Sequence, residues 1–155
     1  MNIAVAAILL MGCGAASAEE AVLELGTGEV RFEPLEDYQQ VPLVAGPQGG
    51  HHVWLSFRVQ GLAPGPVLLD IDAVPLDASE PPPRREPVRA HLTTADEESE
   101  VAQLVGWPAQ LARPECLVDM PLSVRVTITD ENDRRATDER ILIPRGNPLL
   151  GTCTR

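Results

Sequence analysis

HHVWLSFRVQ, residues 51–60, is the stretch on which the fold of this chain turns. Val53, Leu55, Phe57 and Val59 fall on one face of an extended strand, and Trp54, Ser56, Arg58 and Gln60 on the other. A period of two marks a half-buried β-strand, because successive side chains point to opposite faces of a sheet. PLSVRVTIT (121–129) repeats the device, with Leu122, Val124, Val126 and Ile128 inward. VLLDIDAV (67–74) sets Leu69, Ile71 and Ala73 against Asp70 and Asp72. Weaker strands are predicted in EVRF (29–32), PVRAHLTT (87–94), VAQLVGW (101–107) and ERILI (139–143). Gly46-Pro47, Gly49-Gly50 and Ala63-Pro64-Gly65-Pro66 punctuate them, and residues 78–87 (ASEPPPRREP) read as a stiff exposed loop. Fifteen prolines and twelve glycines spread in this way leave no room for long helices.

The 155 residues suit one domain. Apolar residues make up 44% of the chain and aromatics only 3%, so the core must be built from Val, Leu, Ile and Ala. All 12 basic residues are Arg, and the formal net charge is −11. A surface this acidic repels phosphate backbones, so no nucleic-acid partner is expected.

The first eighteen residues read differently from the rest. Ile3 to Met11 is an apolar run too short to span a bilayer, and small residues follow before Glu19 and Glu20. That is the layout of a cleaved export signal, although no Lys or Arg precedes the run. Leu10-Met11-Gly12-Cys13 resembles the lipobox of bacterial lipoproteins, in which the Cys is lipidated and becomes the first mature residue. Ala16-Ser17-Ala18 equally resembles an A-x-A site, whose cleavage would release a soluble protein starting at Glu19. A Cys placed directly behind the apolar run favours lipidation at Cys13. The resemblance implies an exported protein, held on the periplasmic face of the outer membrane or, if cut after Ala18, soluble in the periplasm or secreted.

Residues 19–155 form the folded domain. Seven short strands with one wet face each resemble an immunoglobulin-like sandwich in count and pattern, which implies an all-β, antiparallel, two-sheet domain. The Cys…Trp…Cys spacing of antibody domains is absent. Cys13 is lipidated or removed with the signal under either cleavage reading. Two thiols remain, and an oxidising compartment favours pairing Cys116 with Cys153. These two lie at similar distances either side of a hairpin tip expected near Asp133, so the strands carry them back to one end of the sheet.

Candidate chemistry is thin. G-x-S-x-G, H-E-x-x-H, P-loop and G-x-G-x-x-G motifs are all absent, so no catalytic residue and no cofactor is expected. Asp70 and Asp72 share the wet face of a strand, where nothing raises a carboxyl pKa, and read as solvated charge. Adjacent His51 and His52 would point to opposite faces, so one ion cannot take both without a bend at Gly49-Gly50 or a third ligand such as His91. Asp130-Glu131-Asn132-Asp133 resembles the calcium-binding element of cadherin-type sandwiches over four residues, but lacks the Pro that usually follows and suits a hairpin tip. Trp54, with His52 beside it on the outer face, is the candidate anchor for a partner. The expectation is an exported, non-catalytic domain that binds, or plays a structural part, at the bacterial envelope. Its partner would be an envelope protein or surface component, and a lipid anchor would supply the membrane contact. The rival is a periplasmic metal-binding protein, for copper, using His51, His52 or His91.

Overall fold

A computed structural model describes residues 20–47, 49–78, 85–96, 99–146 and 153. Every regular element in it is a strand except one 3-10 turn, Pro114–Cys116. The strands are β1 (Val22–Thr27), β2 (Glu33–Pro34), β3 (Gln39–Pro42), β4 (Val44–Ala45) and β5 (His51–Gln60). They continue as β6 (Gly65–Pro75), β7 (Val88–Thr94), β8 (Ala102–Gln110), β9 (Leu122–Asp130) and β10 (Arg135–Arg145).

The all-β class expected from the period of two holds, but the strands do not divide into two separate antiparallel sheets. They form one sheet in the order β2-β1-β5-β8-β7-β6-β9-β10-β3, with β4 also paired to β5. One pairing, β10 with β3, is parallel, so the sheet is mixed. Two well-paired halves meet only at the tip of the β7–β8 hairpin, where Thr93 faces Gln103 and Thr94 faces Ala102. From that narrow junction the sheet curls until β10 comes beside β1, and the Leu25 N–H donates to Asp138 Oδ2 at 2.9 Å. A carboxylate thus stands where a ladder carbonyl would in a closed barrel. The shape is a half-barrel.

Pairing of β7 with β8 ends at Thr93 and Gln103, and a residue farther along β8 keeps the two strands from rejoining. The Leu111 N–H donates to the His51 carbonyl at 3.1 Å, which makes these two a hydrogen-bonded pair of the antiparallel ladder. Pro108, opposite Trp54, then falls in a non-hydrogen-bonded pair, with its missing N–H on the β7 side. Proline is tolerated there and cannot extend the β7 ladder.

Inside the curl, Phe57, Leu25, Leu55, Leu69, Leu92, Leu122, Ile128 and Leu142 are fully buried. Each such side chain stabilises by roughly 1.5–3 kcal/mol. The residues of β5, β6 and β9 on the inner face are those the alternation indicates. One strand was misplaced. Residues 29–32 are a turn between β1 and β2, not a strand, and β1 itself lies upstream at Val22–Thr27. Its own alternation, Leu23 and Leu25 buried against exposed Val22 and Glu24, carries the signal that was missed.

Candidate functional site

The half-barrel is not filled to its end. Toward the C-terminal end of β6, inner-face residues lose their cover: Val67 and Leu69 are buried, whereas Ile71 and Ala73 are only partly so. Across the gap left by the β7–β8 divergence stands Trp107 of β8, also on the inner face and partly buried. Between them opens a cleft of about 800 Å3, whose wall includes Val53, Leu55, Leu69, Val124 and Leu117. Val88, 45% exposed, lies on its lining, and Leu76, 51% exposed, follows the lining residue Pro75. A predominantly apolar concavity of this size with a few polar groups at its edge is the usual form of a small-molecule site.

Those polar groups are Asp72, Arg85, Glu86, Gln110 and Arg113. Arg85 reaches over the gap, and its Nη1 donates to the Gln110 carbonyl at 2.8 Å. Arg113 sits in the left-handed region (φ 51°) at the start of the 3-10 turn. Its Nε lies 3.8 Å from Glu115 Oε1 and its Nη2 lies 3.4 Å from Cys116 Sγ. Cys116 borders the cleft and is joined to Cys153 by a disulfide, with Cα atoms 4.8 Å apart. The bridge anchors Cys153 beside the turn that carries Arg113.

Apart from Asp72 and Cys116, the residues singled out from the sequence lie elsewhere. His51 and His52 occupy the first two positions of β5 and follow its alternation: His51 pairs opposite Leu111, and His52 shares the outer face with Trp54. His52 is not on the surface, being 8% exposed. β4 runs beside it, Gly46 packs over its ring, and the ring meets Trp54 edge-on with centroids 4.5 Å apart. The Nε2 atoms of both histidines are buried without a hydrogen-bond partner. His91 is exposed on β7, with β8 intervening between it and β5. Among the described residues, no group of three or more His, Cys, Asp or Glu is placed to hold a metal ion. Trp54 is partly buried, and its carbonyl accepts from Thr27 Oγ1 at 2.8 Å.

At the hairpin tip, Asp130 Oδ1 accepts the N–H groups of Asn132 and Arg134, both at 2.9 Å, and Asp133 takes a positive φ of 59°. Asp130 therefore caps the turn. Asp70 is partly buried, with Oδ1 lacking a partner, and Asp72 pairs across the ladder with Arg125. Neither is the fully solvated charge that the alternation implies. Among the described residues, the carboxyl held below its usual range is that of Glu139, through the Ser123 hydroxyl and then Arg125. That cluster lies on the exposed outer face of β9 and β10. Cys13 and Ala16-Ser17-Ala18 lie outside the described residues.

No reading of the alternation foretold the cleft. It depends on where two strands separate, which is a property of pairing partners distant in sequence. No protein-family model, curated protein or solved structure matches the chain.

Proposed function

We propose that this chain is an exported, non-catalytic binding domain of the bacterial envelope, and that the open cleft of the half-barrel is where it binds. The observation carrying the reading is the run of inner-face apolar residues, Ile71, Ala73 and Trp107, left uncovered where β7 and β8 diverge. Leaving apolar surface in water is unfavourable by about 25 cal/mol per Å2, so a ligand that covers this wall is stabilised by the same effect that builds the core. Export rests on the apolar run followed by Cys13 or Ala18. Metal binding gains no support from the geometry, since His51 and His52 point to opposite faces and His91 lies on a strand not adjacent to theirs.

Filling the cleft tests the reading. Ala73→Trp places an indole on the wall and should abolish saturable 1:1 binding of the apolar dye N-phenyl-1-naphthylamine, with the thermal midpoint kept. Dye binding unchanged in a folded Ala73→Trp protein removes the cleft from consideration. For export, Cys13→Ser should move the protein from the membrane fraction to the soluble fraction. A wild type already soluble with Glu19 as its first residue decides for the Ala18 site.

A further inference from the structure

We infer that the cleft takes a single acyl chain bearing a carboxylate head, an inference that rests on the cleft being the binding site. The wall is aliphatic, with Trp107 as its aromatic member, and offers few groups to a polar body. A saturated chain asks for no more than this, whereas a polar ring system buried there would leave its donors and acceptors unmet. The head is set by the mouth. In a chain of net charge −11, Arg85 stands at the rim with one N–H given to the Gln110 carbonyl and no carboxylate partner among the described residues. A guanidinium has five N–H donors in a fixed fork, and a carboxylate is the group that engages two of them together. Arg113 is already beside Glu115, and Asp72 and Glu86 place negative charge on the same lining, so preference for a charged head over a neutral one falls to Arg85. Partly exposed Val88 at the edge suits the first methylenes below the head.

The test uses the full chain carrying Cys13→Ser, so that no detergent competes, titrated calorimetrically with decanoate, laurate and dodecan-1-ol below their aggregation limits. With Trp54 replaced by Phe, emission from Trp107, the remaining indole, reports occupancy at the wall. Laurate should bind 1:1 about tenfold more tightly than decanoate, the effect of two further buried methylenes. It should also exceed dodecan-1-ol by about tenfold, the lower end of what a hydrogen bond to a charged group contributes. Arg85→Gln should erase that second preference and leave dodecan-1-ol binding as it was. Equal affinity for laurate and dodecan-1-ol, or a preference that survives Arg85→Gln, overturns the carboxylate inference while the cleft remains a site. If neither compound binds, or Ala73→Trp leaves both bound, the cleft reading falls with it.

Discussion

Replacing Ser56 by Ala should cost this protein far more than an outward-facing serine on a strand ordinarily would. Ser56 lies on the outer face of β5, yet it is 0% exposed. Its hydroxyl donates to the Gly28 carbonyl at 2.9 Å and accepts the Gly106 N–H at 3.1 Å. It thereby joins three segments at the irregularity in the β5–β8 ladder between Leu55 and Phe57. Both glycines are needed for this approach. Gly28 and Gly106 have φ of 109° and 72°, and a Cβ on Gly106 would collide with the Glu29 carbonyl. Alanine deletes two hydrogen bonds at about 1 kcal/mol net each and strands a backbone donor and an acceptor with little room for water. A loss of about 2–3 kcal/mol is expected, or roughly 4–12 °C in thermal midpoint for a chain of this size. Urea unfolding should show the midpoint moving with unchanged slope, since the surface exposed is the same. Ser123→Ala, which removes a hydroxyl serving the exposed Glu139 carboxylate, is the control and should stay within about 0.5 kcal/mol. Equal, small effects of the two substitutions would refute the bridging role of Ser56.

Three further outcomes are open to measurement. Reducing the Cys116–Cys153 bridge, which spans 37 positions, should destabilise by about 3–4 kcal/mol in the chain-entropy picture, and mass spectrometry of unreduced peptides should find the linked pair. Free, alkylatable thiols at both positions in protein recovered without reductant from an oxidising compartment would contradict it. Changing His51 and His52 together to Gln should leave metal content after chelator-free purification unaltered, while loss of the His52–Trp54 ring contact costs about 1 kcal/mol. A stoichiometric ion that disappears in the double variant would establish the metal reading instead. Because the Glu139 carboxyl is held below its usual range by Ser123 and Arg125, its contribution to stability is complete above the unfolded-state pKa. That contribution fades as pH falls through the lower folded value. Glu139→Gln should therefore flatten the acid side of the stability profile and leave its alkaline side untouched, and an unchanged acid slope would count against the assignment.

What sequence alone determined here was the period of two. It is local, because the pleat forces neighbouring side chains to opposite faces, so Val53 to Val59 and Leu122 to Ile128 declare their inner face without knowledge of any partner. The pairing of His52 with the outer face was legible for the same reason. Whether an outer face is wet was not. Ser56 and His52 are buried because the turn after β1 and the turn at Gly46 fold over them, contacts that no alternation encodes. The parallel union of β3 with β10 joins residues about a hundred positions apart, which only the assembled sheet can bring together. The cleft belongs to the same class. Pro108 stands in the sequence as a residue without a donor, but which neighbour lacks its hydrogen bond depends on the phase of the β5–β8 ladder. Tertiary pairing aimed that missing donor at β7, which bars the two strands from rejoining there, and the gap between them leaves Ile71, Ala73 and Trp107 on the cleft wall.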